Sequence, residues 1–142
     1  MTSSNKNSLT GFTLIEIMLV VIIIGVLAAM VMPRLSGRSE QAKEAAALAD
    51  IEANIATALD MYELDNGRYP TTEQGLAALV KKPALSPAAT DWHGPYLKRE
   101  PRDPWANTYI YKSPGLHNVE DYDLSSCGKD GVEGNADDIT NW

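Results

Sequence analysis

The sequence predicts an α+β protein: a long N-terminal α-helix packed by its far half on a small antiparallel β-sheet, with a long irregular loop and an acidic loop towards the C-terminus. Three observations predict it. Residues 17–32 carry no polar side chain over sixteen positions, the mark of a helix greasy on every face. Residues 40–65 are rich in alanine, with Leu48, Ile51, Ile55, Leu59 and Tyr62 at steps of three and four, so one apolar stripe runs along a second helical stretch. Beyond Gly67 the helical pattern stops, and residues 108–112 and 122–126 are short β-branched and aromatic runs.

The first element begins at Gly11-Phe12-Thr13-Leu14-Ile15-Glu16. Across residues 12–32 the only ionisable side chain is Glu16. A lone carboxylate in an apolar helix costs roughly 2.5–3.5 kcal/mol on membrane-insertion scales. A positive group from a partner would offset that cost; the alternative is a side chain snorkelling to the interface. Three readings compete for residues 1–32: a secretory signal peptide, a permanent transmembrane anchor, and a helix retained after cleavage ahead of it, between Gly11 and Phe12. Hydropathy alone does not place the cut. After it, Glu16 would lie about one turn from a new α-amine on Phe12. Pro33 removes a helical hydrogen bond, so a bend or local melting is expected over 25–33. A helix from Phe12 to about Glu63 would be roughly 78 Å long at 1.5 Å per residue, and Asn66-Gly67 supplies its stop.

The remaining elements follow in order. Thr71 or Thr72 caps a short helix through residues 76–80, ended by Lys81-Lys82-Pro83. Five prolines between Pro83 and Pro104 forbid regular structure there, and Trp92, Tyr96, Leu97 and Trp105 are positioned to pin this loop. Residues 108–112 form a strand, Ser113-Pro114-Gly115 a turn, and residues 122–126 a second strand.

Composition narrows the function. The chain of 142 residues has one-domain length, and its net charge is −7, with seven acidic residues and one lysine over residues 120–142. Nucleic-acid binding needs basic patches and is not expected. One cysteine, Cys127, excludes an intramolecular disulfide. No catalytic constellation is present: His93 and His117 lie in separate loops, Cys127 lacks an activating motif, and Ser113, Ser125 and Ser126 lack a nucleophile elbow. Trp105, Tyr109 and Tyr111 read as sheet core. An enzyme is therefore not expected.

The run from Cys127 to Asp138 offers Asp130, Glu133, Asn135, Asp137 and Asp138 among glycines. Calcium takes six to eight oxygens, so such a loop can wrap one ion. It is not an EF-hand, because the alternating ligands and closing glutamate are absent. A solvated Gly/Asp turn is the other reading. Ile139 and Trp142 behind the loop imply that it is anchored at both ends.

The glycine-phenylalanine pair followed by glutamate resembles the processing and assembly signature of type IV pilin-like proteins. Further blocks are similar to the major pseudopilins of type II secretion systems: Gly67-Arg68-Tyr69-Pro70, Gly75-Leu76, Gly94-Pro95-Tyr96-Leu97, Asp103-Pro104-Trp105 with Asn107 and Tyr109, Tyr122-Asp123-Leu124-Ser125-Ser126, Gly128-Lys129-Asp130-Gly131 and Asp137-Asp138-Ile139. The resemblance covers essentially the whole chain. It implies a leader over 1–11 that stays cytoplasmic and is cleaved by a prepilin peptidase and N-methyltransferase, with Phe12 N-methylated. It implies an inner-membrane and filament-core helix over 12–33, with Glu16 meeting the N-terminal amine of a neighbouring subunit, and a periplasmic head over 34–142. Lys6 on the short side agrees with the positive-inside rule. The implied metal-binding loop takes calcium through Asp130, Asp137 and Asp138, with backbone carbonyls from Cys127, Lys129 and Val132. The implied role is a structural subunit of a homopolymeric pseudopilus. It works with other pseudopilins and an inner-membrane assembly platform to drive folded exoproteins across the outer membrane. A type IV pilin, a minor pseudopilin or a membrane-anchored periplasmic accessory domain are the alternatives. Two residues depart from the family pattern. Ala106 stands where glycine is frequent and is harmless only at negative φ. Cys127 replaces a larger apolar residue; a thiolate ligand would suit zinc, but one cysteine beside hard oxygen donors argues against it.

Overall fold

The structure is a computed structural model, and it describes residues 11–142, the side chains of 31–36 excepted. The expected leader over 1–11 thus lies, but for Gly11, outside the described residues. Two units divide the chain, Met1–Ser39 and Glu40–Trp142. Helix α1 (Leu14–Ala49) is followed without a break by a π-helical turn (Asp50–Ile55) and α2 (Ala56–Asn66). A bend or local melting was expected over 25–33; the backbone stays helical through Gly25 and Pro33, so of the two the helix is not melted there.

The π-turn was not anticipated, and it explains which residues are buried. Steps of four drift around an ordinary helix of 3.6 residues per turn, whereas the wider π-turn takes up that drift. Ala47, Ile51 and Ile55 therefore share one buried face, continued by Ala58, Leu59 and Tyr62. Leu48, expected in the stripe, is 39% exposed, and Ala47 takes its place. Asp50 braces the turn: Oδ1 accepts from Asn54 Nδ2 at 2.7 Å and Oδ2 from the Tyr109 hydroxyl at 3.0 Å. Burial first, then the Asp50 carboxylate, pushes the Tyr109 phenol well above its ordinary pKa. Helix α2 stops as expected. Gly67 adopts φ 72°, and its N–H donates to the Glu63 carbonyl at 2.7 Å, a left-handed cap that any Cβ would strain.

The sheet has three strands in the order β1 (Ile110–Lys112), β2 (Asp123–Ser126), β3 (Ile139–Thr140), antiparallel throughout. Tyr111 pairs with Leu124, and Ser126 with Ile139. The first strand is shorter than expected because Thr108 forms an isolated bridge with Arg102 instead. β3 was not expected; its two residues leave no periodic signal. Tyr109, Tyr111, Tyr122 and Leu124 close the core against Ile51, Ile55, Leu59 and Tyr62.

Residues 83–104 are irregular, as the prolines require, yet firmly held. The Arg68 guanidinium donates to the Pro87 and Ala88 carbonyls, and the Gln74 amide to those of Leu85 and Pro87. Trp92 Nε1 donates to the Ala78 carbonyl at 2.9 Å, and the Tyr96 hydroxyl to Asp65 at 2.6 Å. Thr71 and Gln74 form a capping box, but only a 3-10 turn (Leu76–Leu79) follows. Trp105 Nε1 donates to Glu40 Oε2 at 3.1 Å, holding that carboxyl below its usual range.

Candidate functional site

Two segments carry the expected functional residues. At the first, the backbone over 11–13 is irregular and α1 starts at Leu14. Phe12 is 84% exposed, so the Gly11–Phe12 peptide lies in accessible chain. Glu16 Oε2 accepts the Thr13 N–H and the Thr13 hydroxyl, each at 2.9 Å, while the Glu16 N–H donates to Thr13 Oγ1 at 3.3 Å. This reciprocal pair is a capping box. The carboxylate thus sits at its own helix mouth, where the dipole favours negative charge. Sequence reading found Glu16 but missed Thr13, although threonine three residues ahead of glutamate before an apolar run is the signal for it.

The side chains of residues 14–30 are all exposed. Among the described residues no helix is long and apolar enough to cross a membrane. The last residues of the expected 12–33 span, from 31 on, have side chains outside those described. A helix apolar on every face requires lipid or other protein around it.

At the second segment, the acidic loop folds on its own carboxylates. Asp130 Oδ1 accepts the Val132 N–H at 2.9 Å, and Oδ2 accepts Asn135 Nδ2 at 2.8 Å. Asp137 Oδ2 accepts the N–H groups of Lys129 and Asp130 at 3.2 and 3.3 Å. Asp138 Oδ2 accepts the Gly134 N–H at 2.6 Å. Asn135 ties the middle: Nδ2 donates to the Val132 carbonyl, and Oδ1 accepts the Asp137 N–H. Gly128, at φ 59°, lets Asp137 close over the loop, since a Cβ there would run into the Asp137 carbonyl and carboxylate. Asp138 Oδ1 is buried and has no hydrogen-bond partner.

Asp130, Asp137 and Asp138 thus share one hydrogen-bonded loop. No group of three His, Cys, Asp or Glu side chains that could hold a metal ion is present among the described residues. The donor set is nonetheless entirely of hard oxygens, and Asp138 supplies a desolvated one without a partner, which suits a hard cation completed by backbone carbonyls. The Cys127 side chain is buried, and burial, followed by Asp138 and Glu133, pushes its thiol up, which disfavours a thiolate ligand.

Sequence reading missed the groups that hold this loop in place: the Asp103–Ser126 pair at its start and Asn141 at its end. Their roles depend on residues 17–23 positions away.

Residues 34–142 match the family model of type II secretion system (T2SS), protein G, and residues 7–32 match the prokaryotic N-terminal methylation motif. The type II secretion system core protein G of Pseudomonas aeruginosa is 54% identical over 137 residues, covering 94% of this chain and 94% of that protein. That of Escherichia coli K12 is 53% identical over 133 residues, covering 93% and 90%. The crystal structure of the major pseudopilin from the type 2 secretion system of enterohaemorrhagic Escherichia coli superposes with a TM-score of 0.68 at 43% identity, covering 76% of this chain and 89% of that one. A head of helices on a small antiparallel sheet, preceded by a methylation motif and matched along nearly its whole length, makes this chain a member of the type II secretion system protein G family, that of the major pseudopilins.

Proposed function

We propose that this chain is the main structural subunit of a type II secretion pseudopilus, made as a single-pass inner-membrane protein and polymerised in the periplasm. The carrying observation is that the methylation motif and the protein G family model adjoin along the chain and between them span residues 7–142. The leader over 1–11 is cut between Gly11 and Phe12 by a prepilin peptidase that also N-methylates Phe12. Residues 12–33 wait in the lipid and then pack against their copies in neighbouring subunits. Such head-to-tail contacts do not close, so they build a helical filament. Other pseudopilins and the inner-membrane platform take part, and growth of the filament drives folded exoproteins across the outer membrane. Nothing in this role requires catalysis by the chain itself.

Glu16 is the recognition group for assembly. Its carboxylate is gathered at the helix mouth by Thr13, an accessible position for the N-terminal amine of a neighbouring subunit. The acidic loop is a calcium site: Asp130, Asp137 and Asp138 supply carboxylates, and Cys127, Lys129 and Val132 supply carbonyls. The unpartnered Asp138 Oδ1 and the all-oxygen donor set support this. A bound calcium would neutralise the loop's mutual repulsion and tie its two ends together.

Mass spectrometry of the N-terminus in cells carrying the secretion machinery tests the reading. A methylated Phe12 is expected, and an intact Met1 would point to a fixed anchor. Glu16→Ala is expected to insert and be cleaved without forming filaments; normal filaments from that variant would overturn the assembly role.

A further inference from the structure

The acidic loop is closed on itself by one side chain. Asn135 Nδ2 donates to Asp130 Oδ2 at 2.8 Å and to the Val132 carbonyl at 3.1 Å. Its Oδ1 accepts the Asp137 N–H at 3.1 Å, two residues on, which makes an Asx turn. Acceptors on one side and a donor on the other fix which way the amide faces. The Val132 N–H completes the circuit by donating to Asp130 Oδ1 at 2.9 Å. Among the described residues, every other group that donates to Asp130, Asp137 or Asp138 is a backbone N–H. Asn135 is therefore the single side chain engaged with these carboxylates, and it is exposed, so it has room to turn away.

Both oxygens that Asn135 Nδ2 bridges belong to groups assigned above to calcium. A cation shared by Asp130 Oδ2 and the Val132 carbonyl needs both turned towards it, at about 2.3–2.6 Å. The amide hydrogens are positively polarised and aimed at the same two oxygens. Amide and cation therefore compete for them, and a divalent ion carries much the larger charge.

We propose that Asn135 is a place-holder for calcium: its amide holds Asp130 Oδ2 and the Val132 carbonyl together when no ion is bound, and is displaced when calcium binds. The inference rests on the calcium reading and deepens it. Two consequences follow, tied by linkage. The bonds from Asn135 Nδ2 stabilise the ion-free head. They are given up on binding, so they weaken the affinity to the same extent. A residue that merely braced the loop would stabilise both forms alike, and one that ligated calcium would strengthen the affinity.

The test uses the full chain in detergent micelles. Asn135→Ser keeps an oxygen for the Asp137 N–H, since serine makes the same kind of turn, and removes the amide without adding charge. In calorimetric titrations calcium is expected to bind this variant about fivefold more tightly than the wild type, the effect of about one net hydrogen bond. In excess chelator the variant is expected to melt about 4 °C below the wild type, and in saturating calcium at the same temperature. Asn135→Asp, which puts an acceptor where the donor was, is expected to enlarge both effects. Binding to Asn135→Ser no tighter than to the wild type, or a melting gap that persists in saturating calcium, overturns the proposal while the calcium reading stands. A wild type that gives no heat with calcium and melts alike in calcium and in chelator overturns both.

Discussion

The Ser126 hydroxyl donates to Asp103 Oδ2 at 2.6 Å inside the head, where Ser126 is fully buried and Asp103 4% exposed. The pair joins the turn ahead of β1 to the last residue of β2, 23 positions further along the chain. Asp103 Oδ1 accepts the N–H groups of Trp105 and Asn107 at 3.0 and 2.7 Å, setting the turn that feeds β1. Ser126 Oγ in turn accepts the Gly128 N–H at 3.2 Å, at the start of the acidic loop. Ser126→Ala leaves a buried carboxylate oxygen and a buried N–H without partners. It is expected to destabilise the head by about 1–3 kcal/mol, measured by urea unfolding. A midpoint equal to the wild type would show that water replaces the hydroxyl at no cost.

The same turn holds the backbone strain of the head. Ala106 has φ 72°, so the condition under which alanine would be harmless there is not met. Its N–H donates to the Asp103 carbonyl at 2.9 Å, and the flanking Asp103 contacts hold it in the left-handed region. An L-residue there costs about 1–2 kcal/mol, a cost that glycine avoids. Ala106→Gly is expected to raise the melting temperature by about 4 °C, the glycine entropy of the unfolded chain offsetting part of the gain. An unchanged or lower melting temperature would mean that the strain is relieved elsewhere.

What could be read from the sequence was local. Ile51, Ile55, Leu59 and Tyr62 announce themselves by spacing, Gly67 by the stop it must make, and the tyrosines of the sheet by residue type. What escaped was set by partners distant in the chain. The π-turn at Asp50 is braced by Tyr109. β3 exists because β2 offers it a ladder, and Ser126 matters only once Asp103 is beside it. At the helix start and in the acidic loop the residue types were legible. Which atoms those carboxylates would hold was not, because Asx-type and capping contacts compete for the same oxygens.

Asp123 makes the head acid-sensitive. Burial opposes its ionisation, but the N–H groups of Asn118, His117 and Leu116 and the His117 ring outweigh that and hold its carboxyl below the usual value. A depressed folded pKa contributes stability above the unfolded value, near 3.8, and loses it as pH falls further. Asp123→Asn is expected to cost about 2 kcal/mol at pH 7, since it exchanges charged for neutral acceptors. Its deficit against the wild type should shrink below pH 4. Chemical unfolding at pH 7, 4 and 3 measures both; a deficit that stays constant across that series would mean that the charge on Asp123 is not what holds the loop.

Calcium is expected to act on the head through Asp138. Its Oδ2 is committed to the Gly134 N–H, while its buried Oδ1 has no partner. A desolvated, unpaired carboxylate oxygen is unfavourable in any folded protein, and a divalent cation relieves it more fully than a hydrogen bond does. Because a calcium held by the folded loop would have no such site in the unfolded chain, binding would add directly to folding stability, by about 2.7 kcal/mol at one hundred times the dissociation constant. Excess chelator is therefore expected to lower the melting temperature of the wild type. Asp138→Asn should melt lower in calcium and respond little to the chelator. Magnesium should substitute poorly, because its small octahedral shell cannot use a wide set of carbonyls. Superimposable melting curves in calcium and in chelator would remove calcium from the account and leave the loop as a self-capped turn.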